Sequence, residues 1–93
     1  MENEKQDEIT RRELPIKIAL EKPINDGEKD LTEIVLRREP TGGDWGAFNV
    51  QNSTIFDFLR VASKISGVPF PVLKKIDTKA TFEIIDALNS FLG

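Results

Sequence analysis

The chain contains no cysteine and no histidine. The first absence excludes disulfides, thiol redox chemistry and thiolate metal sites. The second removes the usual acid/base of neutral pH and the commonest metal ligand, so most enzyme classes lose their tools. Long apolar runs are also missing, and the opening MENEKQDEITRRE has neither the basic leader nor the apolar segment of a secretory signal. Thirteen basic against sixteen acidic residues leave a formal charge of -3, which supplies no general attraction to nucleic acid or anionic lipid. These absences predict a soluble, intracellular, non-enzymatic protein with no cofactor, no metal, no membrane and no nucleic acid.

What is present is 93 residues, enough for one small domain. A chain of this size buries roughly 60 to 65% of the surface its unfolded form exposes. Such a core is thin, and a second copy or a partner would thicken it, so self-association is expected. Residues 1–13 carry five acids and three bases, with Ile9 as the one large hydrophobe after the initiator. They bury too little to offset the entropy of ordering and read as a flexible acidic arm. Residues 14–93 read as a single α+β domain.

Within that domain, Ile16, Ile18 and Leu20 alternate with Lys17, Ala19 and Glu21, the period of a strand with one covered face. Pro23 marks its end or a sheet edge. Asn25, Asp26, Gly27 and Glu28 form a tight turn into LTEIVLR, Leu31 to Arg37, which predicts a two-stranded hairpin. Pro40 closes the second strand and Thr41 to Asp44 starts a short helix, after which Trp45 and Phe48 are expected to cover the hairpin edge, with Val50 continuing that contact. Asn52 or Ser53 caps the clearest helix, whose Ile55, Phe58, Leu59, Ala62 and Ile65 recur at three- and four-residue intervals. Gly67 ends it, and Pro69 and Pro71 introduce a short segment bearing Val72, Leu73 and Ile76. Asp77 caps a last helix with Phe82, Ile85, Leu88 and Leu92 on one side and Ile84, Ala87 and Phe91 broadening it. The whole reads as an N-terminal hairpin packed against a C-terminal region of three to four helices.

Motifs with chemistry are weak. TGGDWG, Thr41 to Gly46, has no Lys and Ser/Thr at phosphate-loop spacing. Asp26, Glu28 and Asp30 lack the later ligands of a calcium loop, and an ordinary polar turn explains them. The carboxylates Glu39, Asp44, Asp57, Asp77, Glu83 and Asp86 are better explained singly, as caps and solvated faces, than as a catalytic pair. Lys64 beside Ser63 or Ser66 cannot act as a serine base from neighbouring helical positions that point apart. Arg60, Lys64, Lys74, Lys75 and Lys79 form a basic cluster, and the helix ending at Gly67 has the outline of a helix-turn-helix. Two prolines interrupt that turn and no Arg/Asn/Gln face is available to read bases, so the cluster is a solvated helical side or a contact for an acidic protein. Arg37 and Arg38 read as exposed charge at a strand end.

The order of pieces from Pro15 to Gly93 resembles the short tail assembly chaperones of contractile-tailed bacteriophages, the E-protein-like group. The similarity is carried by a first strand ending in LEKPI, a polar turn, LRREPTGGD at Leu36 to Asp44, SGVPFPVLKKID from Ser66 to Asp77, and a last amphipathic helix ending FLG. The aromatic set Trp45, Phe48, Phe56 and Phe58 departs from that pattern. The resemblance implies a non-enzymatic helper that coats the tape measure protein in the host cytoplasm and keeps it soluble until tail tube subunits polymerise. It further implies absence from the mature virion, and a longer frameshifted form through which tail tube protein is recruited. It transfers no individual site residues.

Physical reasoning supplies them instead. A long helical client exposes repeated apolar stripes, which an oligomer with shallow grooves covers by many weak contacts. Phe56, Ile84, Ala87 and Phe91 are the expected partner-facing or seam residues, with Arg60, Lys64, Lys74 and Lys75 as a secondary electrostatic contact. Ile55, Phe58, Leu59, Ala62, Phe82, Ile85 and Leu88 are the expected core. Two alternatives stand beside the chaperone: a homo-oligomeric adaptor that recognises its client by the hairpin edge or acidic arm, and a small DNA-binding regulator, against which the net charge argues.

Overall fold

Alternating isoleucines build strand β1, Ile16–Asn25, which pairs antiparallel with β2, Asp30–Leu36. The register sets Ile16 opposite Leu36 and Ile18 opposite Ile34, so four large side chains share one face and all four are buried. This computed structural model describes residues 13–46 and 48–92. The expected arm, apart from Glu13, lies outside those residues. β1 runs through Pro23 instead of ending there, and the pairing register shifts between Ala19 and Ile24. A proline without an N–H fits such an irregularity, because both strands of a two-stranded ribbon are edges.

The turn is held by its own side chains. The Asp26 carboxylate accepts from the Glu28 and Lys29 amides at 2.9 Å each, and the Asn25 carbonyl accepts from Gly27 N–H at 2.8 Å. Gly27 sits at φ +106°, a conformation that L side chains rarely adopt. Asp26 is thereby accounted for as turn chemistry, and Asp30 accepts from the Asn25 side-chain amide at 3.1 Å.

Four helices follow: α1, Gly42–Trp45; α2, Ile55–Ser66; α3, Phe70–Leu73; and α4, Thr78–Leu92. α1 and α2 open with the same device. Thr41 and Thr54 each accept from the amide three residues on, while Asp44 and Asp57 accept from the cap amides in return. Thr54, not Asn52 or Ser53, is thus the cap of α2, because only Thr54 has an acid at the third helical position. Gly67, at φ +81°, closes α2 through its amide to the Ser63 carbonyl.

α2 and α4 cover the hairpin face. From α2 come Phe58, Leu59, Val61, Ala62 and Ile65; from α4 come Ala80, Ile84, Ala87 and Leu88. Backbone bonds secure the joins: Arg37 N–H donates to the Ile65 carbonyl at 3.1 Å, and Glu21 N–H to the Asp77 carboxylate at 3.0 Å. Arg37 is therefore more than exposed charge, since its Nε also reaches the Ser66 carbonyl at 3.4 Å.

The expected division of α4 is reversed in part, since Leu88 is core and Ile85 packs against it as expected. Ile84 and Ala87 are fully buried, whereas Phe82 is 54% and Leu92 40% exposed. α4 packs against both α2 and β1. The small Ala80 and Ala87 lie on the inner face, where they permit close approach, and a phenylalanine stripe there would hold the helix away. On α2, Ile55, expected in the core, stays 45% exposed, and Val61, not singled out from sequence, joins the core. Ile55 is the first helical residue, projecting from the open end of the helix. Among the described residues, no helix is long and apolar enough to cross a membrane.

Candidate protein-binding groove

The capping box that starts α1 also fixes Trp45. Asp44 accepts from Thr41 N–H at 2.8 Å and from two Arg38 nitrogens at 2.5 and 3.1 Å, so a β2-end arginine clamps the short helix. The Arg38 guanidinium and the Thr41 amide hold the Asp44 carboxyl well below the usual carboxylate range. Trp45 meets Phe48 edge to face at 4.9 Å, and Phe48 meets Phe58 of α2 at the same distance. Phe48 therefore packs on α2 with Trp45 against it, and both lie against the core cluster. Val50 continues no such contact, being 71% exposed.

Further round α2, α3 delivers Phe70. Its ring lies 5.6 Å from that of Phe56 in an edge arrangement. The Arg60 guanidinium sits 4.9 Å from the Phe70 centroid, and Lys74 Nζ lies 5.3 Å from Phe70 and 5.6 Å from Phe56. Between the two aromatic groups runs a groove of about 500 Å³ lined by Asp44, Trp45, Phe48, Asp57, Arg60, Val61, Ser63, Lys64 and Phe70.

The carboxylates of this groove are already engaged. Asp44 is held by Arg38 and Thr41; Asp57 accepts from the Thr54 amide at 2.9 Å and from Arg60 at 3.3 Å. Lys64 Nζ reaches the Asp44 main-chain carbonyl at 3.4 Å, and among the described residues no carboxylate lies within ion-pair distance of it. Ser63 donates to the Val68 carbonyl at 2.6 Å and Ser66 accepts from the Val68 amide at 3.1 Å, so both hydroxyls serve the turn after α2. Among the described residues, no three acids gather into a metal-binding group.

The residues expected to face a partner thus separate. Phe56 is 48% exposed and stands beside the groove with Arg60 and Lys74. Ile84 and Ala87 are in the core and unavailable to a partner, and Phe91 is half-buried against that core. Lys64 lines the groove, while Lys75 is exposed beyond α3 and outside the lining. Sequence periodicity missed the contributions of Phe70, Trp45 and Phe48, which three separate segments bring to one helix face. The usable signal was the Thr-x-x-Asp pattern repeated at Thr41 and Thr54, which sets where both helices begin.

Comparison with protein-family models, with characterised proteins and with solved structures finds no match for this chain.

Proposed function

We propose that this chain is a tail assembly chaperone that binds the tape measure protein of a contractile-tailed bacteriophage in the host cytoplasm and keeps it soluble until the tail tube polymerises. It acts without catalysis or cofactor, as a self-associating protein that leaves before the virion is complete. A longer frameshifted form would add the contact to tube protein.

The observation that carries this reading is apolar surface on both long helices. Ile55 and Phe56 on α2 and Phe82 and Leu92 on α4 are each at least 40% exposed in a chain whose core is otherwise closed. Exposed large hydrophobes of this kind are what a binder of extended helical clients needs, since many shallow contacts hold a long client without one required sequence. The order of hairpin, short capped helix and two longer helices also supports it, because the motif order behind the resemblance follows the same path.

Co-expression with the tape measure protein encoded beside this chain tests the reading. A soluble, multi-copy complex by size-exclusion chromatography with light scattering is expected. Recovery of this chain alone, with the tape measure protein insoluble, would overturn it.

A further inference from the structure

We propose that the groove along α2 is a docking site for an amphipathic helix whose apolar stripe is flanked by carboxylates. The inference rests on the chaperone reading only for the expectation that clients are helical.

Three observations carry it. First, Asp57, Arg60, Val61 and Lys64 follow one another at spacings of three, one and three, so one α2 face runs along the groove for two turns, about 10 Å. A second helix laid beside that face presents anchors one and two turns apart, the spacing by which grooved proteins take helices. Second, both walls are aromatic, with Trp45 and Phe48 on one side and Phe70 on the other, a composition typical of the buried centre of a protein interface.

Third, the acidic balance of the chain is not repeated at the groove, whose lining sets Arg60 and Lys64 against Asp44 and Asp57, with Lys74 adjacent. The protein carries -3 overall, yet both groove carboxylates are engaged within the protein. Lys64 contacts the Asp44 main-chain carbonyl, Arg60 is shared between Asp57 and the Phe70 ring, and Lys74 lies beside the lining at the same ring. Approaching carboxylates meet Arg60 and Lys64 in the lining and Lys74 beside it. A lysine-flanked helix meets the same cations and is repelled. Nucleic acid is the weaker fit, because the half-buried Phe70 ring and the exposed Phe56 ring contact each other and two cations instead of offering open faces for base stacking.

The chain supplies its own reporter, since Trp45 is its single tryptophan and lines the groove. Two synthetic helical peptides of about five turns, free of tryptophan, would carry the same leucine stripe, one flanked by glutamate and the other by lysine. Titration should shift Trp45 emission with the glutamate peptide and show about tenfold weaker binding of the lysine peptide. Arg60→Glu with Lys64→Glu should erase or invert that preference, whereas Lys17→Glu on the outer hairpin face should leave it intact. Circular dichroism would verify that the variants fold, and the wild-type comparison of the two peptides stands without them.

Equal affinity for both peptides, no response of Trp45 to either, or binding of oligothymidylate in place of the peptides would each overturn the proposal. If co-expression solubilises the tape measure protein while the peptides fail, the groove assignment falls and the chaperone reading stands. Peptide discrimination with an insoluble tape measure protein supports the groove and removes the chaperone reading.

Discussion

Asp77 joins two parts of the fold that lie 56 positions apart in the chain: one carboxylate oxygen accepts from the Glu21 amide of β1 at 3.0 Å while the other accepts from the Ala80 amide in the first turn of α4. A single side chain thus caps the last helix and anchors the hairpin to its start. The amides of Ala80 and Glu21 hold its carboxyl below the ordinary aspartate value. Asp77→Ala should lower the thermal midpoint more than Asp30→Ala at the exposed start of β2 does, and Asp77→Asn should recover part of the loss by retaining an acceptor. Thermal unfolding followed by circular dichroism measures both, and equal midpoints for the two alanine variants would show that the link contributes nothing.

Ile84 is fully buried and Phe82, two residues earlier on the same helix, is 54% exposed. Ile84→Ala should cost about 2–5 kcal/mol, the range for deleting a large buried aliphatic side chain. Phe82→Ala should change stability by about 0.5 kcal/mol or less, as surface substitutions do. Urea denaturation of the pair checks that Ile84, and not Phe82, belongs to the core. A larger loss at Phe82 would place the core on the other face.

Gly67 holds φ +81°, and an added Cβ there would meet nothing within 4 Å. Any cost of Gly67→Ala therefore comes from backbone conformation alone, about 1–2 kcal/mol. Gly67→Asn should cost less, because asparagine tolerates the left-handed region better than alanine does. Chemical denaturation of the two variants distinguishes this from a steric origin, under which the larger asparagine would be worse.

Acid should unfold the protein through its turn and cap carboxylates. Asp26, held down by the Lys29 and Glu28 amides, Asp44, held down by Arg38 and Thr41, and Asp77 all lie below the ordinary aspartate value when folded. A depressed carboxyl contributes stability that is present above its unfolded value and is lost as pH falls through the folded one. With no histidine in the chain, no imidazole titrates between. Urea midpoints should therefore stay level from about pH 7 to 5 and fall below about pH 4. Asp44→Asn should flatten that fall, and a decline beginning near neutrality would contradict the assignment.

Much of the architecture was legible in residue order. The Ile16, Ile18 alternation, the Asn25 to Glu28 turn, the glycine stop at Gly67 and the Asp77 cap are local devices, each completed within a few residues, and the fold contains each of them. The α2 cap was misplaced by one or two positions because Asn52, Ser53 and Thr54 are all competent caps. Only the return bond from Asp57 selects Thr54.

The groove was not legible, for a different reason. Phe56 and the basic cluster were visible as candidates, but α2 and α4 are each apolar round more than one face, so periodicity allows several stripes to turn inward. Which stripe does so depends on the facing surfaces: the hairpin face of Ile16, Ile18, Ile34 and Leu36 accepts a helix that approaches through Ala80 and Ala87, and this draws in Ile84 and leaves Phe82 outside. In the same way the sequence pointed Trp45 and Phe48 to the hairpin edge, and it is the Arg38–Asp44 clamp and the Phe58 ring that bring Phe48 onto α2. By itself the sequence determined where elements start, stop and turn, because those choices are made by neighbouring backbone groups. The tertiary structure decided which side chains are core and which form a groove, because that choice belongs to surfaces distant in the chain that must fit one another.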